Sequence, residues 1–140
     1  RVPDGVTLLL LTVLALAGDN VERTGLAVSL AAHDLFSGLP GGPYDLVVSN
    51  PPYVAPAEIE ALQPEVRDWE PRGALVGAGT TEAVARAASA VLRPGGARVL
   101  ETAESAAAAV AALLEELGYA EVRITSDLAG RQRVVEGRRA

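Results

Sequence analysis

The stretch of residues 45–53, DLVVSNPPY, places a polar amide, Asn50, directly after a short apolar run. The run predicts a buried strand, which Pro51 and Pro52 end because neither carries an N–H for a β-ladder. Pro51 also restricts Asn50 to an extended conformation. An amide and an aromatic ring, Tyr53, are thereby held on a stiff turn that could bind a small planar polar group. Since Asn and Pro are ordinary turn residues, a simple strand-ending turn is the alternative.

The tetrapeptide Asn50–Tyr53 resembles the signature loop of the amino-methyltransferases, which use S-adenosylmethionine to methylate amide or exocyclic amino nitrogens. Such a nitrogen is a poor nucleophile because its lone pair is delocalised. The resemblance implies that the side-chain carbonyl of Asn50 and the main-chain carbonyl of Pro51 accept its N–H groups, while Tyr53 packs on its plane. Catalysis would then consist mainly of positioning, with stabilisation of the charge that grows on nitrogen.

Composition argues against several kinds of function. The 140 residues suffice for one domain with a core, and the formal net charge is −6, with 12 basic residues that are all arginine. This negative balance argues against non-specific nucleic-acid binding. The chain has no Cys and a single His, His33, so it has little material for a metal site or a Ser-His pair. Residues 6–17 form an apolar run that is too short to span a bilayer, which takes roughly 20 residues.

The N-terminal third is ambiguous between strand and helix. Its apolar run favours a strand at Val6–Leu11 and a helix that continues to Arg23 and is ended by Gly25. A single helix capped by Asp4 is the alternative. Residues Leu26–Ala31 alternate in polarity and predict a strand.

Strands and helices alternate through the rest of the chain. We expect helical turns at 57–62, a helix from a Thr80 or Thr81 cap to Leu92, a strand at 97–101, a helix at 105–117 closed by Gly118, and strands at 122–126 and 133–136. This order predicts an α/β fold with a mostly parallel sheet and a C-terminal antiparallel hairpin. In such sheets ligands bind beyond the carboxyl ends of the strands, where Asp34 and Asn50 fall.

Further motifs are similar to those of one family, the protein-glutamine N5-methyltransferases that modify class I peptide chain release factors. In order, they are residues 14–28 (LALAGDNVERTGLAV), 34–36 (DLF), 45–54 (DLVVSNPPYV), Glu70-Pro71 with Ala74-Leu75, 92–96 (LRPGG), Glu101 and 127–137 (DLAGRQRVVEG). The last segment is rather specific, because DNA amino-methyltransferases with the same tetrapeptide do not usually end this way. The resemblance implies a Rossmann-like class I methyltransferase sheet of seven strands, a cytoplasmic location, and methyl transfer to a release-factor glutamine.

The resemblance also implies site residues. The glutamine side chain would be bound by Asn50, Pro51, Pro52 and Tyr53, with Asn50 and Pro51 as the catalytic pair. S-adenosylmethionine would be contacted by Asp34, through its adenine amino group, by Leu35, which would line the adenine pocket, and by Asn50. Without the resemblance, the residues themselves favour a loop cap for Asp34 and a core contact for Leu35.

Two family features have no counterpart here. Nothing resembles the Gly-rich loop that cradles the methionine part of the cofactor, so residues 1–140 are expected to be a single, N-terminally truncated methyltransferase domain. The acidic position that binds the ribose falls on Leu8, counting back from Asn20, and an aliphatic side chain accepts no hydrogen bond. We therefore expect this stretch alone to bind the cofactor weakly or not at all. A DNA adenine or cytosine amino-methyltransferase, which would flip its base into the loop, and a non-catalytic remnant of the fold are the alternatives.

Overall fold

The computed structural model describes residues 5–77 and 79–140 and, for residues 5–12, the backbone only. The first element that it describes is helix α1, Gly5–Thr24. Gly25 ends the helix as predicted, with φ of 62° and its N–H 3.0 Å from the carbonyl oxygen of Val21. The predicted strand at Val6–Leu11 is therefore wrong and the single-helix alternative is right, although its proposed cap, Asp4, lies outside the described residues. A helix satisfies its backbone groups internally, whereas a strand needs a paired neighbour.

The segment after α1 has no regular structure. The strand predicted at Leu26–Ala31 is wrong, and the side chains of Leu26, Val28 and Leu30 are 64%, 51% and 44% exposed. Alternating polarity produces a strand only where another strand pairs with it, and residues 5–34 contain none. The chain divides after this segment into two compact units, Arg1–Asp34 and Leu35–Ala140.

Among the residues that the structure describes, no helix combines the length and the apolar character needed to cross a lipid bilayer.

The second unit is built on a four-stranded sheet in the order β1-β2-β4-β3. The strands are β1 (Tyr44–Ser49), β2 (Leu92–Glu101), β3 (Tyr119–Ser126) and β4 (Gln132–Arg139). Strand β1 pairs with β2 in parallel, and β4 pairs antiparallel with both β2 and β3. The α/β architecture and the C-terminal hairpin are confirmed. The described sheet is mixed rather than mostly parallel, because the two strands expected before residue 35 do not form.

Helices connect these strands. They are α2 (Pro64–Arg67), α3 (Arg72–Leu75), α4 (Thr80–Val91) and α5 (Ala107–Glu116), with 3-10 turns at Leu35–Ser37, Pro56–Ala61 and Glu104–Ala106. The predicted Thr cap of α4 is wrong: Gly79, at φ of 76°, is the N-cap and Thr80 is the first helical residue. Gly118 closes α5 as predicted, with φ of 82°.

The core lies where α4 and α5 pack on the sheet. Its centre is the pair Leu100 and Val135, which face each other across β2 and β4 and are both fully buried. Arg98, two residues before Leu100, is also 0% exposed. Its Nη1 donates to the carbonyl oxygen of Val84 at 2.6 Å, while Nε and Nη2 have no hydrogen-bond partner within the described residues. Burial lowers the pKa of the Arg98 guanidinium.

Strand β1 is less buried than its apolar sequence predicts. Leu46 and Val48 are 51% and 65% exposed, so the prediction of a buried strand is wrong, and only Val47 packs on the core. Successive side chains of a strand point to opposite faces, and α4 and α5 supply the core for only one of them. Strand β2 begins earlier than predicted, at Leu92, and residues 93–96 bulge from its pairing with β1.

Candidate active site

The proline loop starts where β1 ends, at Ser49, and its first side chain points to solvent. Asn50 is exposed and its amide makes no hydrogen bond within the described residues. Pro51 behind it is buried, whereas Pro52 and Tyr53 are half-buried. A rigid backbone therefore presents a free amide, which is the arrangement that a ligand-binding turn requires.

The loop is fixed by the segment that leads into α4. The Thr80 hydroxyl lies 2.6 Å from the carbonyl oxygen of Pro52 and 2.9 Å from that of Gly77. The N–H of Val54 donates to the carbonyl oxygen of Leu75 at 2.9 Å. Because these bonds flank Tyr53 on both sides, the loop cannot rotate as a free turn would. The carbonyl of Pro51, which has no partner among the described residues, remains available to a ligand.

Gly77 is required by this close packing. A Cβ at Gly77 would lie far inside van der Waals contact with the carbonyl oxygen of Pro52 and 2.5 Å from the Thr80 hydroxyl oxygen. Only a residue without a side chain lets the two segments approach this closely.

A cavity of about 770 Å³ opens beside the loop. One wall is formed by residues 50–54 of the loop itself, and a second by Leu62, Gln63, Val66, Glu70 and Leu75. Arg131 and Arg133, from the hairpin formed by β3 and β4, also line the cavity. Its volume is within the range of small-molecule sites.

The hairpin that carries the two arginines is ordered by Asp127. One carboxylate oxygen of Asp127 accepts the N–H groups of Ala129 at 2.8 Å and Arg131 at 2.9 Å. The other lies 3.7 Å from Nε of Arg133. Hydrogen bonds from the Arg131 and Ala129 backbone, and the neighbouring arginines, lower the pKa of the Asp127 carboxyl.

The structure brings together the four predicted substrate residues Asn50, Pro51, Pro52 and Tyr53 at one cavity. Leu35 instead packs on the hydrophobic core beside α4, and it is not part of the cavity lining. Asp34 belongs to the first unit and is exposed. The cofactor roles of Asp34, Leu35 and Asn50 stay predictions.

Sequence reasoning missed four residues of this region: Thr80, Gly77, Arg131 and Arg133. The two arginines belong to the family-like motif at residues 127–137, which could have marked them, but the motif alone assigned them no role. Nothing in the sequence indicates that Thr80 bonds a loop 28 residues earlier. Within the described part of the chain, no group of three or more His, Asp or Glu side chains is placed to hold a metal ion.

Comparisons with known proteins agree with the motifs. The chain is 44% identical to a release factor glutamine methyltransferase of Cereibacter sphaeroides, in an alignment that covers 89% of this chain and 47% of the relative. A protein of the same name from Geobacter sulfurreducens is 40% identical, over 89% of this chain and 45% of the relative. Another, from Rhodopirellula baltica, is 38% identical, over 93% of this chain and 47% of the relative. No protein-family model matches the chain.

These similarities confirm the predicted resemblance to the release factor glutamine methyltransferases. The chain spans about half the length of the curated relatives it matches.

Proposed function

We propose that this chain is the C-terminal part of the catalytic domain of a protein-glutamine N5-methyltransferase, which methylates the side-chain amide of a glutamine in a class I peptide chain release factor. One observation carries the proposal. The amide of Asn50, which has no hydrogen-bond partner among the described residues, lies directly after β1 on a proline loop that Thr80 holds in place and that lines a cavity of about 770 Å³. The names of relatives at 38–44% identity support the reaction and the kind of substrate.

The residues of the loop suit a glutamine side chain. A primary amide has two N–H groups, and the side-chain oxygen of Asn50 and the main-chain oxygen of Pro51 are two acceptors without partners among the described residues. Holding both N–H groups fixes the plane of the amide and leaves one face of its nitrogen, which is the nucleophile, free to face a methyl donor. Tyr53, half-buried beside them, can pack on that plane. The resulting contribution is positioning, together with stabilisation of positive charge on the nitrogen by two carbonyl dipoles.

S-adenosylmethionine, when bound, supplies an electrophilic methyl group. Asn50 is the one residue that we place beside both the methyl donor and the glutamine. We assign the adenine contacts to Asp34 and Leu35, as the family resemblance implies. The finer description of the fold, a Rossmann-like class I methyltransferase sheet, is supported by the parallel β1–β2 pair connected through α4 and by the closing antiparallel hairpin. We expect the protein to act in the cytoplasm, with no membrane or direct nucleic-acid partner.

The test is methylation of a defined acceptor. A complete protein carrying this segment is incubated with S-adenosylmethionine and a class I release factor, and the product is digested and sequenced by mass spectrometry. We expect one added methyl group on the side-chain nitrogen of a single glutamine. A release factor with that glutamine replaced by alanine serves as the control and should gain none. Methylation of a DNA duplex in place of the release factor, or of neither, would contradict the proposal.

A further inference from the structure

Arg133 lines the cavity that contains Asn50, and its guanidinium makes no hydrogen bond within the described residues. Its Nε is buried and has no hydrogen-bond partner within the described residues. The nearest carboxylate, on Asp127, lies 3.7 Å away, which is an ion-pair distance and too long for a hydrogen bond. Protein atoms enclose Nε, whereas the side chain as a whole is 31% exposed, so the terminal nitrogens of the guanidinium are the donors that a ligand in the cavity can reach.

The backbone holds Arg133 in place independently of any ligand. Its main-chain carbonyl accepts the N–H of Thr102 at 2.9 Å, which ties β4 to the end of β2. On the other side, Asp127 accepts two backbone N–H groups and fixes the turn that leads to Arg131. Arg131 lines the same cavity, and its side chain makes no hydrogen bond among the described residues. Two guanidinium groups are therefore presented by a preorganised hairpin.

The cavity also has acceptors. Glu70 and Gln63 line it, and Glu70 forms no ion pair with either arginine within the described part of the chain. Positive and negative groups thus line one cavity without neutralising each other directly. Because Asp127 lies 3.7 Å from Arg133, two carboxylates accompany the two guanidinium groups, and there is no excess charge that would select an anion. A neutral ligand with both a donor and an acceptor, such as a peptide group, fits this lining best.

We propose that Arg133, assisted by Arg131, binds a main-chain carbonyl of the substrate polypeptide next to the target glutamine, and that Glu70 accepts a main-chain N–H of the same segment. The proposal rests on the proposed function, since it names the part of the protein substrate that the site recognises. It makes Arg133 a substrate-binding residue: it secures the flanking backbone, while Asn50 secures the reacting amide.

The experiment compares Arg133→Ala, Arg133→Lys and a matched control, Arg123→Ala, in a complete protein carrying this segment. Arg123 belongs to the other strand of the hairpin, is 64% exposed, and pairs with Glu121 and Glu136 away from the cavity. Methylation is measured with two short peptides at saturating S-adenosylmethionine. One peptide has neutral residues around its glutamine, and the other has a glutamate beside it. Thermal unfolding and KM for S-adenosylmethionine verify that each variant is folded.

We expect Arg133→Ala to raise KM about 10- to 100-fold for both peptides, the usual effect of losing a charge-assisted hydrogen bond, with little change in kcat. Arg133→Lys should recover only part of the loss, because a lysine ammonium lacks the planar pair of terminal donors of a guanidinium. Arg123→Ala should match the parent protein. An unchanged KM in Arg133→Ala would overturn the proposal. A loss confined to the acidic peptide would also overturn it, because the partner would then be a carboxylate.

Failure of the proposed function gives a different result. If the parent protein methylates no glutamine in any release factor, the proposed function is wrong whatever Arg133 does. Calorimetric titration of the same neutral peptide then decides the subsite separately. Weaker binding by Arg133→Ala than by Arg123→Ala supports it, and equal binding overturns it.

Discussion

The hydroxyl of Thr80 lies 2.6 Å from the main-chain carbonyl oxygen of Pro52, so the first turn of α4 holds the proline loop across 28 residues of sequence. Thr80 therefore has a positioning role: its hydroxyl contacts the protein backbone and no ligand, and it fixes the loop that carries Asn50. The N-cap position of α4 is occupied by Gly79, which makes no side-chain cap.

We predict that Thr80→Val slows methyl transfer about 10- to 100-fold, because a loop released from α4 no longer fixes Asn50 and Pro51 to the required precision. The free energy of unfolding should fall by only about 1 kcal/mol, the typical contribution of one hydrogen bond. Thr80→Ser keeps the hydroxyl and should restore kcat. Thr81→Val is the matched control, since the Thr81 side chain makes no hydrogen bond in the described part of the chain. If Thr80→Val and Thr81→Val had the same kcat, the bond to Pro52 would have no positioning role.

Gly77→Ala tests the same contact from the opposite side. The added Cβ would overlap the carbonyl oxygen of Pro52 and approach the Thr80 hydroxyl oxygen to 2.5 Å, so the loop must move. We expect loss of activity together with a lower unfolding temperature. Gly73→Ala is the control: no atom lies within 4 Å of its Cβ position, and it is in α3, where alanine is favoured over glycine by about 0.5–1 kcal/mol. Equal effects of the two substitutions on activity and unfolding would argue against the close approach at Gly77.

Arg98 is predicted to lower the stability of the fold. It is fully buried, only Nη1 has a partner within the described residues, and burial lowers the pKa of its guanidinium. Replacing a poorly satisfied buried charge with an apolar side chain of similar size is often neutral or stabilising, by about 1–3 kcal/mol. Arg98→Leu should therefore leave unchanged or raise the free energy of unfolding in urea. Arg98→Ala, which leaves a cavity, should be less stable than Arg98→Leu. Strong destabilisation by both substitutions would show that the guanidinium has compensating partners.

Asp127 gives the hairpin a pH dependence. Its carboxyl pKa is lowered in the folded protein, chiefly by the backbone N–H of Arg131. A lowered carboxyl pKa stabilises the fold above the unfolded-state pKa of about 3.9, and the stabilisation is lost as pH falls through the folded pKa. We therefore expect the amide NMR signals of Ala129 and Arg131 to be constant at neutral pH and to shift only below about pH 4. Asp127→Asn should remove this titration. A midpoint at or above the ordinary Asp value would show that the hydrogen bonds do not form in solution.

The sequence predicted the second unit better than the first, for a physical reason. In the hairpin and around α5, turn residues and apolar periodicity favour the same structure, so the strands at 122–126 and 133–136 and the stop at Gly118 were found. In residues 6–31 the apolar pattern is compatible with strand or helix, and the outcome depends on whether a neighbouring strand is present to pair. Leu46 and Val48 were predicted to be buried for a related reason. Whether an apolar strand residue is buried depends on which elements pack on its face of the sheet, and the local sequence does not specify those elements.

The residues of the candidate site were also predicted only in part. Asn50 through Tyr53 could be found because proline chemistry and a family motif mark them locally. Thr80, Gly77 and Arg133 could not be assigned a role, because their importance arises from contacts with residues distant in sequence. A threonine near a helix start predicts a cap on local grounds, and only the tertiary structure shows that its hydroxyl bonds Pro52 instead.

The most direct test of the account is the rate of methyl transfer by Asn50 variants of a complete protein carrying this segment, with a release factor as the acceptor. Asn50 is exposed at the end of β1, so Asn50→Ala leaves no core cavity and should fold normally. We predict a loss of roughly 10²–10³-fold in kcat, the usual effect of removing one positioned polar contact at a reacting group. Asn50→Asp keeps the shape but adds a charge beside a cationic donor, and should change both kcat and KM for S-adenosylmethionine. Near-parental kcat in a folded Asn50→Ala variant would contradict the account, because the loop would then be a structural turn and the reaction would occur elsewhere.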